Sequence, residues 1–521
     1  MKLDSFYTYN ELMQELEEIE KAYPRYAKVQ ELTKSREGRM VPIITLADFS
    51  LSDALEKPAY YMQANIHAQE PCGTNVAMYF IYEALKSPGK LSRHIYYIVP
   101  RINPDGAERA ITKRDNNIRS CLIPLDVENA LMPQDIDGDG LIATMRRVNP
   151  MGNWKILNKR GIMVERRPGD TEGTFYDLFP EGYIENYTDG NIKSGERSVD
   201  LNRSYPAGWK PLPFSSDYPG QEPEIRAVLE FLTSRKNIFA GVDLHNGTSA
   251  ILRPTGRTNE QLPREDRSLM KELCAKASEI TGFQDFFDVP YGAVPGEKSA
   301  ELPGCACDFW YEVLGLSHYT IELGNGYNSI GMKSLDILSQ YGDLYGELLE
   351  KVQVYHEERG STVFLPWKKF DHPQLGEVEV GGMIGGQAYH IFLPDMEKFA
   401  PKVCEFMFLH SEMYAKLFLG NVSSLKVADN VWRITAECMN TGKFGTQVMQ
   451  GSPGHLGKIP LESRLEGGEI LNKEFTRSIP QLRSMEKISL EWFVRAKTGT
   501  EITVTVSHPK AENAIAKLIL E

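Results

Sequence analysis

The sequence predicts an α/β domain followed by a small β-sandwich. Short apolar runs at residues 41–46, 59–64 and 239–244 alternate with helical stretches such as 223–234. Buried strands separated by helices are typical of a mixed or mostly parallel sheet. Beyond residue 421 apolar or small residues alternate with mostly polar ones, as in 431–438, which predicts the antiparallel strands of a sandwich. We therefore predict two domains, residues 1–421 and 422–521.

The elements of the first domain follow from their periodicity. Residues 9–23 predict an amphipathic helix that buries Leu12, Leu16 and Ile19, and residues 74–86 and 267–280 predict further helices. Residues 95–100 and 318–323 predict strands. The segment 120–197 is rich in Gly, Pro and Asp, so we interpret it as an insertion that loops over one face of the domain.

Composition narrows the function classes. The chain has 521 residues, enough for two cores, and its net charge of -13 argues against nucleic acid or an anionic membrane as partner. The 7 cysteines are scattered, which does not suggest a disulfide framework. No signal-peptide core or apolar run of membrane-spanning length is visible, so we expect a cytoplasmic protein, or a secreted one if a signal was trimmed. The sequence leaves the oligomeric state open.

A candidate metal site begins at the end of the strand predicted at 59–64. His67 and Glu70 stand three residues apart, and His245 ends the strand predicted at 239–244. Hydrolytic zinc sites take three protein ligands of these types and keep a fourth position for water. The simpler interpretation of His245 alone is a hydrogen-bonded histidine at a strand end. The three residues together favour a zinc site.

Two further positions suggest catalysis and substrate binding. Glu322 lies at the end of a strand, and a buried carboxylate there suits a general base better than a surface charge. Asn202 and Arg203 offer an amide and a planar guanidinium, which matches a carboxylate bidentately. A structural salt bridge is the alternative role for Arg203.

These runs together resemble the M14 family of zinc metallocarboxypeptidases. The resemblance covers residues 7–326 and rests on several short motifs in the family's order: Ser35-Arg36-Glu37-Gly38-Arg39, His67-Ala68-Gln69-Glu70, Asn103-Pro104-Asp105-Gly106, Asp200-Leu201-Asn202-Arg203, Gln221-Glu222-Pro223-Glu224, His245 and Tyr319-Thr320-Ile321-Glu322. It implies an α/β/α sandwich around a mixed eight-stranded sheet. It also implies one zinc ion held by His67, Glu70 and His245, and release of C-terminal residues from peptides.

The resemblance also assigns roles residue by residue. Arg203 and Asn202 would hold the free C-terminal carboxylate of a peptide substrate, and Asp200 would orient His67. Glu322 would act as general base and then as acid.

Two more family roles lack an obvious carrier. An arginine that polarises the scissile carbonyl is expected between Gly106 and Asp200, where we favour Arg146 over its neighbour Arg147. A substrate-capping tyrosine is expected shortly before Gly304, and Tyr291 is the candidate.

Three positions depart from the family or extend it. Gln69 stands where many relatives have Arg. Asp135, Asp137 and Asp139 have the spacing of a calcium loop, but its twelfth position is Arg146 rather than Glu, so we favour an acidic Asp/Gly turn over bound Ca²⁺. Cys307 would form the floor of the side-chain pocket, which predicts a preference for neutral C-terminal residues.

Two other functions remain open at this point. One is an M14-like amidohydrolase that acts on cell-wall γ-glutamyl peptides or amino-acid amides. The other is a peptide- or glycan-binding relative without catalysis. The presence of all three metal-ligand candidates and of Glu322 favours the peptidase.

Overall fold

The computed structural model describes residues 1–115, 118–289, 302–334, 336, 345–385, 391–452, 458–472 and 479–521. Within these ranges, no helix combines the length and apolar character that crossing a bilayer requires.

The N-terminal part of the first domain alternates helices and strands as predicted. Its helices are α1 (Tyr9–Ala22), α2 (Cys72–Leu85), α3 (Pro88–Leu91) and α4 (Pro104–Thr112). Its strands are β1 (Ala27–Lys34), β2 (Met40–Leu46), β3 (Ala59–Ala64) and β4 (Ile95–Val99). Helix α1 begins at a capping box in which Thr8 and Glu11 satisfy each other's backbone N–H groups.

The insertion that follows is built of short strands rather than of loops alone. They are β5 (Cys121–Pro124), β6 (Ala130–Pro133), β7 (Thr144–Val148), β8 (Trp154–Ile156), β9 (Met163–Glu165), β10 (Phe175–Pro180), β11 (Gly182–Glu185), β12 (Lys193–Ser194) and β13 (Glu196–Val199). Runs of two to six residues are too short to show a clear period of two, and the glycines and prolines between them suggest loops.

The chain then returns to the central sheet. Helix α5 (Pro223–Ser234) precedes the strands β14 (Ile238–His245) and β15 (Ser249–Leu252), and helix α6 (Arg264–Thr281) separates these from β16 (Gln284–Asp285) and β17 (Ser317–Leu323). Short helical segments occupy Ala54–Glu56, Leu201–Arg203, Asn259–Gln261, Ala306–Asp308, Phe309–Val313, Gly326–Ser329 and Leu393–Asp395, and longer helices occupy Tyr345–Glu357 and Met396–Ser411.

The central sheet has eight strands in the order β1-β2-β4-β3-β14-β17-β15-β16. The four inner strands β4, β3, β14 and β17 are parallel, and β1, β2 and β15 pair antiparallel with their inner neighbours. Apolar side chains cover both faces. Tyr60 and Met62 of β3 join the cluster under α1, α2 and α6, whereas Ala59 and Tyr61 join the cluster under α5. The predicted α/β/α sandwich with an eight-stranded mixed sheet is confirmed.

A second sheet joins the insertion to a segment far along the chain. Strands β18 (Phe364–His372) and β19 (Gly376–Met383) form a hairpin, and the sheet order is β18-β19-β7-β10-β8-β9. The insertion is therefore anchored by residues more than two hundred positions downstream.

The C-terminal region forms the predicted β-sandwich. Its strands are β20 (Ala415–Ala428), β21 (Val431–Asn440), β22 (Glu462–Glu466), β23 (Glu469–Ile470), β24 (Lys487–Arg495), β25 (Glu501–Ser507), β26 (Ala511–Glu512) and β27 (Ala514–Ile519). A five-stranded and a three-stranded sheet share an apolar core around Trp432 and Trp492. Strand β20 begins at Ala415, a few residues before the boundary predicted at residue 421.

The two domains are packed together through apolar and polar contacts. Phe444 and Met449 of the C-terminal domain belong to the same apolar cluster as α1, α2 and α6. Asp266 on α6 accepts hydrogen bonds from the backbone N–H groups of Gln450 and Gly451, each at 2.8 Å. The sandwich therefore contributes to the core of the first domain.

Candidate active site

The turn after β3 aims His67 into the edge of the central sheet. Asn65 has a positive φ of 56°, a conformation that Asn tolerates better than most residues. Its side chain donates a hydrogen bond to the carbonyl of His67 at 2.7 Å. A Cβ at Gly106, in the first turn of α4, would lie 2.9 Å from Cβ of Ala68, so glycine lets the start of α4 approach this turn.

His245 and Glu322 end two neighbouring parallel strands. In the pairing of β14 with β17, His245 lies directly opposite Glu322. Side chains in register on parallel strands project from the same face, and both residues lie at the carboxyl edge of the sheet. Open α/β sheets place their ligand sites at this edge.

Three donor groups converge there. Nδ1 of His67 lies 3.2 Å from Nδ1 of His245, and the Glu70 carboxylate lies 2.9 Å from each of these nitrogens. Ligands held 2.0–2.1 Å from a tetrahedral zinc ion stand about 3.3 Å apart. All three side chains are buried. The separations and the donor types therefore fit a single zinc ion.

Two carboxylates lie next to the Nε2 atoms of the histidines, on the side of each ring opposite the converging Nδ1 atoms. Nε2 of His67 lies 3.2 Å from Asp200, and Nε2 of His245 lies 3.1 Å from Asp243. Because the Nδ1 atoms face the common point, the proton of each neutral imidazole lies on Nε2. Nε2 of His67 donates a hydrogen bond to Asp200, whereas Nε2 of His245 lies within ion-pair distance of Asp243. The sequence analysis did not single out Asp243. The available signal was its position two residues before His245, which places both side chains on the same face of β14.

The electrostatics of the cluster favour positive charge. Although burial opposes ionisation, His67 and His245 hold the pKa of Glu70 well below its usual value. Burial likewise opposes the charged form of His245, yet Asp243 and Glu70 raise its pKa well above the usual value. The carboxylates thus attract positive charge, and a divalent metal ion brings more positive charge than a proton does.

Glu322 is a carboxyl group with little polar contact at the same edge of the sheet. Burial raises the pKa of its carboxyl to about 8, against the opposing effect of His245. Its Oε2 is buried and accepts no hydrogen bond from another described residue. A Cβ at Gly247 would lie 2.9 Å from that oxygen, so the glycine leaves room for the carboxylate.

Asn202 and Arg203 lie beside this centre on the short helical segment that follows Asp200. Asn202 accepts a hydrogen bond from the backbone N–H of Ala306 at 2.9 Å. The guanidinium of Arg203 is buried and donates to the carbonyl of Asn202 at 2.6 Å and to Sγ of Cys305 at 3.3 Å. The segment Cys305–Cys307 is thereby tied to the Asn-Arg pair.

The prediction that Arg146 faces the site is wrong. Arg146 lies on β7 in the second sheet, where it pairs with Glu379 at 2.7 Å and packs over the rings of Tyr176 and Trp367. Its neighbour Arg147 pairs with Asp177. Because β7 pairs with β19 and β10, the contacts of both arginines lie within the second sheet.

Arg119 is the arginine that the structure brings to the centre. Its guanidinium lies 3.2 Å from Asp200 and 3.4 Å from Glu70. The side chain is 42% exposed, so it reaches from the metal-ligand candidates to the mouth of the site. The backbone carbonyl of Arg119 accepts a hydrogen bond from the N–H of Ala68 at 2.6 Å, which holds it to the His67 turn. Arg119 lies within the interval between Gly106 and Asp200 in which the arginine was expected, shortly after Gly106. That position was the one sequence feature that could have indicated it.

The acidic loop at residues 135–139 is organised as a turn. Asp135 accepts hydrogen bonds from the N–H groups of Gly138 and Gly140, and Asp137 accepts one from Asp139. The acidic groups that lie close together are Asp135, Asp137 and Glu181, not the set Asp135, Asp137 and Asp139 that the calcium spacing predicted. The carboxylates satisfy the loop's own backbone, in keeping with the favoured Asp/Gly turn.

The two remaining predicted contacts have different outcomes. Cys307 is buried in an apolar cluster with Ala250, Leu252 and Phe286. Tyr291 lies outside the described residues.

Several residues of the short motifs that carry the family resemblance form ion pairs and hydrogen bonds with one another, and none of these is a metal-ligand candidate. Arg36 pairs with Glu222, and Ser35 donates to Asp105 at 2.7 Å. Glu224 is fully buried beside them, and neither of its carboxylate oxygens has a partner in another described residue. Burial raises the pKa of Glu224 to about 7, and the nearby Asp105 and Glu222 add to the effect.

We expect Glu224→Gln to stabilise the protein at pH 8 more than at pH 5. A carboxyl whose folded pKa is about 7 and whose ordinary pKa is 4.5 favours folding below the lower value. This contribution of Glu224 to the free energy of unfolding is lost as pH rises through 7, by up to about 3 kcal/mol. The amide of the Gln variant does not ionise, so the variant does not lose it. Denaturant unfolding at both pH values measures it, with exposed Glu230→Gln on the same helix as control. Equal effects of Glu224→Gln at both pH values would contradict the prediction.

The fold and the site together consist of an α/β sheet that carries three candidate ligands for one metal ion at its carboxyl edge. A family model described as zinc carboxypeptidase, Peptidase_M14, matches residues 12–336, and the chain belongs to this family. A domain of unknown function, DUF8731, matches residues 416–518, which is the C-terminal sandwich.

Individual relatives match only short stretches of the chain, at low sequence identity. Carboxypeptidase B of Astacus astacus is 28% identical over 110 residues, which is 20% of this chain and 35% of the relative. Carboxypeptidase A1 of Rattus norvegicus is 30% identical over 100 residues, 18% of this chain and 23% of the relative. The matches thus span about a third or less of these relatives. The crystal structure of carboxypeptidase A from Helicoverpa armigera covers 68% of this chain and 74% of its own, at 19% identity and a TM-score of 0.41.

Proposed function

We propose that the protein is a zinc-dependent carboxypeptidase that hydrolyses the C-terminal peptide bond of peptides. The observation that carries the proposal is the convergence of His67, Glu70 and His245 beside Glu322. These three ligands leave a fourth zinc position for water, as hydrolytic sites require. When bound, zinc lowers the pKa of the attacking water and polarises the substrate carbonyl.

The protein's own groups supply the remaining steps. Arg203, with Asn202, binds the free C-terminal carboxylate and so positions the last peptide bond. Glu322 takes a proton from the attacking water and passes it to the leaving amine. Arg119 stabilises negative charge on the carbonyl oxygen during the attack.

A peptide and its C-terminal amide test this assignment directly. The zinc-loaded protein should release the last residue from the free acid and leave the amide intact, because Arg203 needs an anionic partner. Arg203→Met should lower kcat/KM on the free acid by about 100-fold, the value of a lost charge-assisted contact. Exposed Arg226→Met on α5 serves as control.

Two outcomes would contradict the assignment. Hydrolysis of the amide, or of γ-glutamyl peptides in preference to the free acid, would favour the amidohydrolase. Absence of any turnover by zinc-loaded protein would favour a binding protein without catalysis.

The side-chain pocket supports a preference for neutral C-terminal residues. Cys307 has Ala250, Leu252 and Phe286 as apolar neighbours. The nearby Asp308 is engaged elsewhere, because it accepts hydrogen bonds from Thr255 and Gly256 at 2.7 and 2.9 Å. Peptides that end in Leu or Phe should be cleaved faster than those that end in Lys or Glu. A panel that varies only the last residue measures this, and preferred release of Lys would overturn it.

A further inference from the structure

A cavity of about 320 Å³ lies between the two domains, on a side of the molecule that the proposed reaction does not use. The catalytic domain contributes the end of α5, the start of β14, and Leu314 and Leu316. The sandwich contributes residues 458–460 and Lys510. Six of the lining residues are apolar: Leu232, Ile238, Leu314, Leu316, Ile459 and Pro460.

The charged residues in this lining are all cationic. They are Arg235, Lys236, Lys458 and Lys510, and the described lining contains no carboxylate. None of the four forms an ion pair with a described residue, although the ion pairs elsewhere on the protein are numerous. In a chain of net charge -13, a group of four cations that form no ion pair within the described part of the chain needs a physical reason.

Lys510 is the unusual member of the group. Its side chain is only 3% exposed, and its ammonium has one long hydrogen bond, 3.4 Å, to the carbonyl of Leu314. Lysine is almost never buried this deeply without a charged partner, because desolvation of the ammonium is costly. Burial lowers the pKa of Lys510 to about 8, so the group is still mostly charged at neutral pH.

The neighbouring histidine does not neutralise it. Nε2 of His508 donates to the carbonyl of Ile459 at 3.0 Å, and its Nδ1 accepts the backbone N–H of Lys510 at 3.1 Å. Burial, together with Lys510, lowers the pKa of His508 to about 4. His508 is therefore neutral, and the cavity lining that the structure describes holds no carboxylate to pair with the ammonium.

We propose that this interdomain cavity binds a small amphiphilic carboxylate, with its anionic head at Lys510 and its apolar body against the leucine and isoleucine side chains. One deeply buried ammonium suits a single negative charge, and the mainly apolar lining suits a hydrocarbon or aromatic body. Arg235, Lys236 and Lys458 at the cavity add attraction for the anion. A free amino acid is disfavoured because its own ammonium would enter a cationic site.

Calorimetric titration of the zinc-loaded full chain with octanoate tests the proposal. Octanol, which lacks the charge, and inorganic phosphate, which lacks the apolar body, serve as comparison ligands. We expect octanoate to bind, and each comparison ligand to bind at least about tenfold more weakly. Phosphate binding as tightly as octanoate would overturn the assigned ligand class, and absence of octanoate binding would overturn the site.

Variants locate the binding. Lys510→Met should weaken octanoate binding by about tenfold or more. The variant is expected to fold, because an apolar side chain of similar length replaces an unpaired buried charge. Exposed Lys497→Met, on the same domain, should bind as the parent does. Arg235→Met, nearer the surface, should weaken binding by a smaller factor.

Carboxylates also compete for the proposed substrate anchor, so the two sites must be separated. Inhibition of peptide hydrolysis by octanoate should be the same in Lys510→Met as in the parent, since Arg203 is unchanged. If octanoate binding is lost in Arg203→Met and retained in Lys510→Met, the ligand occupies the catalytic centre and the interdomain site is refuted.

Discussion

Glu322→Gln should lower kcat by about 10² to 10⁴-fold while zinc content stays at one ion per chain. Glutamine keeps the size of the side chain and removes its capacity to accept a proton. The carboxylate lies opposite His245 in the strand pairing but is not one of the three converging metal-ligand candidates. Steady-state kinetics and metal analysis of the same preparation measure both effects.

The controls separate catalysis from folding. Glu279→Gln removes a carboxylate from an exposed ion pair on α6 and should leave kcat unchanged. Glu322→Gln with parental kcat would reject the proposed base. Loss of zinc from Glu322→Gln would show instead that the side chain helps to bind the metal.

Arg119→Met should lower kcat by about 10² to 10³-fold, the usual cost of losing one donor to a developing oxyanion. Arg119 lies between Glu70 and Asp200 and is partly exposed toward the mouth of the site. KM should change less than kcat, because the contact strengthens as the carbonyl oxygen acquires charge.

Arg146→Met is the matched control for this substitution. Arg146 is held by Glu379 and two aromatic rings in the second sheet, so its loss should lower thermal stability and leave kcat within about twofold. The opposite pattern, with Arg146→Met inactive and Arg119→Met active, would reassign the role to the residue favoured from the sequence.

Much of the fold was predictable because its signals are local. Strand β3 occupies the predicted residues 59–64, and α5 occupies 223–234, since the first is a short apolar run and the second a run with helical periodicity. His67 and His245 were found for a related reason. His245 ends β14 and His67 lies three residues after the end of β3, and the carboxyl ends of parallel strands meet at one edge of the sheet.

The errors arose where contacts between distant segments decide the outcome. Arg119 and Arg146 both lie in the interval searched, and nothing local distinguishes them. The difference is that β7 pairs with β19, more than two hundred residues away, and that pairing carries Arg146 into another sheet. The second sheet itself escaped notice because strands such as β8 and β9 have only three residues.

The late position of the helix Met396–Ser411 has a consequence for how the protein is made. Every strand of the eight-stranded sheet precedes residue 324, but Met396, Phe406 and Met407 of that helix cover one of its faces. His410 also contacts Tyr60 and Ser317 at 3.0 and 3.1 Å. While a ribosome synthesises the residues in between, the nascent sheet exposes apolar side chains and β7 lacks its partner β19. Growing chains therefore pass through an aggregation-prone interval in which chaperones would have apolar surface to bind.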